Sequence, residues 1–130
     1  MKKQLSAAIL AGAIALACAG PALAISAIPT KAVTVHYNTK IVPQMGVGEY
    51  DGQMTLTLNP NGIINGTYIP DSGGPRIVTG GIDANNQVWL DIGFMGHLHV
   101  TGTFKNGRKI VGYLFIGTND YKFVANPKPT

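Results

Sequence analysis

Apolar and polar side chains alternate with a period of two from Gln53 onward, in short runs rich in Ile, Val, Leu, Thr and Tyr. Gly, Pro, Asn and Asp separate the runs at intervals of about ten residues, the spacing of an all-β sandwich or barrel. The runs are Gln53–Leu58, Ile63–Tyr68, Arg76–Ile82, Gln87–Gly93, His97–Phe104, Lys109–Ile116 and Tyr121–Ala125. Upstream, Ala32–Tyr37 and Val47–Tyr50 compete for the one remaining strand. None of these stretches places apolar residues at helical spacing, so an all-β fold is expected.

The turns set the register. Pro60-Asn61-Gly62 suits a three-residue hairpin loop with Gly62 in the left-handed region, and Ala84-Asn85-Asn86 can use Asn86 in the same way. Asn106-Gly107 suits a two-residue type I′ turn. With these loops, and a three-residue loop at Phe94–Gly96, one face collects Met54, Leu56, Leu58, Ile64, Gly66, Tyr68, Val78, Gly80, Ile82, Val88, Leu90, Ile92, Leu98, Val100, Gly102, Phe104, Val111, Tyr113 and Phe115. That face holds no charge. The other collects Gln53, Thr55, Thr57, Asn65, Thr67, Asp83, Trp89, Asp91, His97, His99, Thr101 and Thr103. A slip of one residue would exchange the faces, so agreement between hairpins supports the register. Gly66, Gly80 and Gly102 on the inner face mark the bends and close approaches of a narrow, coiled barrel. The expected fold is a small antiparallel up-and-down β-barrel of about eight strands, closed so that no sheet edge stays open.

Thr55-Leu56-Thr57-Leu58 followed by Asn61-Gly62-Ile63-Ile64-Asn65-Gly66-Thr67-Tyr68 resembles the avidin and streptavidin family, in which a strand, a Gly turn and a Gly-Thr-Tyr strand follow in that order. Ile77-Val78-Thr79-Gly80-Gly81-Ile82-Asp83 resembles the family's next strand, and Val100-Thr101-Gly102-Thr103-Phe104 its sixth. The likeness covers Gly46 to Ala125 and extends to calycin-type barrels generally. It implies that Tyr68 points into a ligand site. It does not carry biotin over. The family encloses biotin with several tryptophans, whereas Trp89 is the only one here and faces outward in this register. Pro70 stands where the family has a polar residue, and Leu98 and Val100 stand where it uses a hydroxyl and a tryptophan.

The segment before the strands reads differently. Met1-Lys2-Lys3, an apolar run from Leu5 to Leu16, and small residues in Gly20-Pro21-Ala22-Leu23-Ala24 have the form of a secretory signal peptide over residues 1–24, cut after Ala24. The apolar run is too short for the roughly 20 residues that span a bilayer, so no membrane span is expected. Cys18 follows Ala15-Leu16-Ala17 and lacks the large aliphatic residue that a lipoprotein site carries three positions before the cysteine, so cleavage after Ala24 is the better match. That cut discards the only cysteine and leaves a disulfide-free chain. The periplasm or the external medium is the expected location. Residues 25–45 then form an N-terminal extension or first strand, and residues 46–130 the β-barrel domain.

The chain has 130 residues and a formal charge of +4, which falls to +2 without Lys2 and Lys3. Its remaining cations are scattered apart from Lys105, Arg108 and Lys109 around the Asn-Gly turn, so no nucleic-acid surface is expected. Catalysis needs a nucleophile with its base, a carboxylate pair or a bound metal, and the sequence marks none of these. No enzyme activity and no cofactor are therefore expected. His97-x-His99 places two imidazoles on one strand face with Asp91 opposite His99, a partial metal-ligand set that reads as solvated surface. Asn65-Gly66-Thr67 matches a glycosylation sequon but reads as strand sequence in this setting.

The sharper expectation is an apolar cup at the barrel end that carries Ile69–Pro75, Phe94–Gly96 and Gly117–Asp120. Met54, Tyr68, Leu98, Tyr113 and Phe115 would line it, with Arg76 at the rim, to hold a small apolar or aromatic ligand with one acidic group. The alternative is a protein-interaction module, an inhibitor or assembly subunit, whose barrel is filled by its own side chains. Trp89, beside Leu114 and Ile116 on the outer face, suggests a homodimer.

Overall fold

Eight strands form, each from a run of alternating or wholly apolar residues. The computed structural model describes residues 26–45, 48–93 and 98–129. The strands are β1 (Val33–Pro43), β2 (Tyr50–Leu58), β3 (Ile63–Pro70), β4 (Arg76–Ile82), β5 (Gln87–Ile92), β6 (Leu98–Phe104), β7 (Ile110–Ile116) and β8 (Asn119–Pro127). Each is antiparallel to the next, and β1 also pairs with β8, so the sheet closes into an up-and-down barrel. Closure satisfies backbone donors and acceptors that an open sheet would leave at its edges. The upstream candidate, Ala32–Tyr37, grows into β1, whereas Tyr50 opens β2. The fold is compatible with a calycin-like barrel. Among the described residues no helix is long and apolar enough to cross a membrane.

The expected register holds from β2 to β6. Met54 lies opposite Tyr68, Ile64 opposite Gly80, Leu90 opposite Val100, and Asp91 opposite His99. Gly62 adopts φ +85° and Asn86 φ +63°, as their three-residue loops require. The inner face is packed solid by Leu56, Leu58, Ile64, Val78, Val88, Leu90, Ile92 and Val100, all nearly inaccessible to solvent. Each such aliphatic side chain contributes about 1.5–3 kcal/mol on burial. The Phe94–Gly96 loop and His97 lie outside the described residues.

β7 departs from expectation. The turn before it has three residues, Asn106–Arg108, closed by a bond from Lys105 N–H to the Lys109 carbonyl at 2.7 Å. Both Gly107 (φ +73°) and Arg108 (φ +67°) are left-handed. One residue more than a type I′ turn sets Phe104 opposite Ile110 and shifts β7 by one position. Ile110, Gly112 and Leu114 therefore point inward. Tyr113 and Phe115, expected inside, are 52% and 67% exposed, and Val111 is only half-buried on the same outer side. Leu114 is fully buried and is not a neighbour of Trp89 on the outer surface. Gly112 faces Gly102, and a Cβ on it would stand 2.9 Å from the Gly102 Cα. This glycine pair leaves room for the close approach of β6 and β7 at this register position.

The barrel has two unlike ends. At the floor, the turns after β2, β4 and β6 meet the segment before β1. Ala27 N–H donates to Asn86 Oδ1 at 2.8 Å, and Ala27 and Ile28 pack against the core. The mouth is formed by the opposite strand ends.

Candidate functional site

The mouth is shaped by residues that the strands deliver in register. Gly52 lies opposite Pro70 and leaves the space that the Tyr68 ring occupies, since a Cβ there would stand 3.0 Å from the Tyr68 hydroxyl. Tyr68 pairs across β3 and β4 with Arg76, which carries the ring from the core to the charged rim. An open cleft of about 470 Å³ lies above it. Ile41, Leu98 and Ile116 supply its apolar wall, Tyr50 and Tyr68 its aromatic surface, and Glu49, Asp51, Asp71 and Arg76 its charges. Tyr50 is steadied by a tilted ring contact with Tyr121 at 6.1 Å.

Of the six expected binding residues, three meet here: Tyr68, Leu98 and Arg76. Met54 lies opposite Tyr68 and is buried beneath the cleft, where it fills the core. Tyr113 and Phe115 are absent from it because the β7 shift carries them to the outer face. The sequence reading also missed Ile41, Tyr50 and the carboxylates. Period-two spacing in Tyr37, Thr39 and Ile41 was the signal for the first, but the polar run Asn38-Thr39-Lys40 hid it.

Electrostatics at the rim are mixed. Lys40 Nζ lies 2.8 Å from Glu49 Oε2 and 4.0 Å from Asp51 Oδ1. A hydrogen bond between the two carboxyl groups raises Asp51 above the ordinary carboxylate range and lowers Glu49, which Lys40 lowers further. The pair therefore keeps one proton to a higher pH on the Asp51 side. The Lys40 ammonium is raised in turn, first by its bond to Glu49 and then by the Asp51 charge. Burial raises the Tyr68 phenol, opposed by the Thr39 hydroxyl and by Arg76 and reinforced by Asp71 and Asp51. Tyr68 thus stays neutral at physiological pH and can both donate and accept. Thr39 is 2% exposed. Although close enough to act on the phenol, its Oγ1 has no partner at hydrogen-bonding geometry among the described residues.

This arrangement can hold a small molecule by its apolar body and meet its polar end with a phenol, a guanidinium or a carboxylate. The histidine set lies elsewhere. Asp91 Oδ1 and His99 Nδ1 are in direct contact on the outer face, while His97 lies outside the described residues. His36 shares a 3.0 Å hydrogen bond with Thr55. No group of three or more potential metal ligands occurs among the described residues. No known protein family, curated protein sequence or solved structure gives a significant match to the chain.

Proposed function

We propose that this chain is an exported, non-catalytic β-barrel binding protein that takes a small apolar or aromatic ligand at the barrel mouth. The observation that carries the reading is the meeting of Tyr68, Leu98 and Arg76 with Ile41 and Tyr50 around one open cleft. Below it the core is filled, so the ligand rests on the barrel rather than inside it. Three carboxylates against the Arg76 guanidinium and the Lys40 ammonium leave the rim with one net negative charge, so a neutral or basic polar group fits better than the free acid that Arg76 alone implies. Export rests on the signal-like residues 1–24. The avidin-like strand motifs add support for a ligand at Tyr68 but none for biotin.

Native mass spectrometry of protein purified from the export compartment, without refolding, tests this. The expected result is a small-molecule adduct lost on denaturation and weakened at least tenfold by Tyr68→Ala. A bare chain that gains no adduct from a panel of aromatic amines and neutral aromatics overturns it.

A second reading is the protein-interaction module. Its support is the exposed apolar set on the outer wall, where Trp89, Ile63 and Tyr113 occupy positions linked through Gly81 and Thr101. Homodimerisation through this face predicts a sedimenting dimer that Trp89→Lys converts to a folded monomer. An unchanged mass for Trp89→Lys removes the Trp89 interface.

A further inference from the structure

We propose that the floor of the barrel carries a second site, independent of the mouth, that binds a phosphate group between Lys105 and Arg108. The two ends differ in charge. At the mouth Glu49, Asp51, Asp71 and Asp120 are interleaved with Lys40, Arg76 and Lys122, whereas at the floor Lys31, Lys105, Arg108 and Lys109 face the single carboxylate Asp83 among the described residues. Asp83 is the carboxylate among the floor turns, and its Oδ1 accepts from Asn85 N–H and Gln87 N–H at 2.8 and 3.0 Å. Lys105 and Arg108 have no carboxylate within ion-pair distance among the described residues. Turn cations usually disperse into solvent. These two instead form one wall of a cleft of about 550 Å³.

The same lining includes neutral donors, Asn85 from the β4–β5 turn and Ser26 from the segment before β1, whose hydroxyl oxygen accepts from Ile28 N–H at 3.2 Å and keeps its own proton to donate. A guanidinium, an ammonium, an amide and a hydroxyl around one space match the many acceptor positions of a tetrahedral oxyanion better than the two oxygens of a carboxylate. The site holds one phosphate. A nucleic acid would need a track of several.

The cleft is also anchored. The Tyr37 ring is fully buried in the barrel, and its hydroxyl donates to the Arg108 carbonyl at 2.9 Å. That bond fixes Arg108 in a left-handed conformation that a long side chain rarely adopts. Facing it, Asn86 is likewise left-handed and is tied to the Ala27 amide. The two non-glycine residues with positive φ among the described residues thus line the same cleft. The backbone of Arg108, and with it the base of its side chain, is tied to the core at the cleft.

The test is an NMR titration of the purified protein with sodium phosphate, against sodium chloride at equal ionic strength. Saturable shifts are expected at Asn86 and residues 105–108, with none at Tyr68. The double variant Lys105→Gln/Arg108→Gln should weaken binding at least tenfold while keeping the unfolding midpoint. Flotation on phosphatidylglycerol vesicles, against phosphatidylcholine, identifies the source of the group. Flotation lost in the double variant assigns a lipid headgroup, and saturable phosphate shifts without flotation assign a soluble phosphate. Shifts that chloride reproduces, or phosphate binding unchanged in the double variant, overturn the site, as does a failure of both phosphate and vesicles to bind.

Discussion

The β2–β3 and β6–β7 hairpins are built from similar residues and joined by turns of equal length, yet only the first can be placed from its pattern. In β2–β3, Met54, Leu56 and Leu58 alternate with Gln53, Thr55 and Thr57, so a slip would bury hydroxyls and expose three large apolar groups. In β7 every residue from Ile110 to Ile116 is apolar, aromatic or glycine. Either face could be buried at little difference in transfer free energy. The decision falls to the Gly102–Gly112 contact and the left-handed turn at Arg108, which are matters of backbone geometry. A pattern of polarity specifies register only where the two faces differ in polarity.

Deleting Arg108, which leaves the two-residue Asn106-Gly107 turn, should have the largest effect. Slippage of β7 or loss of the fold is expected, seen as dye binding to exposed apolar surface and a collapsed denaturation midpoint. An unperturbed protein would mean that the turn does not set the register. Next in size, Leu114→Ala should cost about 2–5 kcal/mol by chemical denaturation, because it empties a fully buried site. Phe115→Ala should change stability by no more than about 0.5 kcal/mol. The reversed ranking would restore the slipped register. Tyr37→Phe removes the bond to the Arg108 carbonyl and should cost about 1–2 kcal/mol, with the loss visible as faster amide exchange at residues 105–109. In the β2–β3 hairpin, whose register is secure, the smallest effect is electrostatic. Asp51→Ala removes the leading cause of the lowered Glu49 carboxyl, so its titration should move up toward the ordinary range, short of it because Lys40 remains. A Glu49 titration that stays put would assign the lowering to Lys40 alone. The pH sign is mixed within this pair. The Glu49 contribution to stability is present at neutral pH and fades as pH falls through its lowered value. The Asp51 contribution is present in acid and fades as pH rises through its raised value. Because each carboxyl is the leading cause of the other's shift, the two contributions oppose each other in the wild type, and Asp51→Ala leaves only the part of the Glu49 contribution that Lys40 supplies.

The closed all-β fold was legible because alternation and turn chemistry agree over five consecutive strands. Half of the mouth was legible for the same reason, since Tyr68, Leu98 and Arg76 belong to strands with unambiguous faces. Tyr113 and Phe115 were misplaced because an aromatic on a uniformly apolar strand carries no label for its side. Thr39 was invisible for the opposite reason, as a hydroxyl buried without a partner contradicts the polarity rule that the reading relies on. The acidic rim was not legible, since cross-strand proximity between Lys40 and Asp51 requires the pairing of β1 with β2. The floor cleft depends on Tyr37 reaching Arg108 across 71 positions, a contact that no local pattern encodes.

The seam between β1 and β8 has a consequence for timing. Tyr37 lies opposite Pro127, so the ring is joined by contacts between the two extremes of the described chain. Pairings of such long sequence separation make folding slow compared with that of a helical bundle. A chain that emerges from its N-terminus, at a ribosome or through a translocation channel, must wait for its last strand before the circle can close. Until then β1 has a bare edge, available to a chaperone or to another copy, and this interval is when the molecule is most exposed to misassembly.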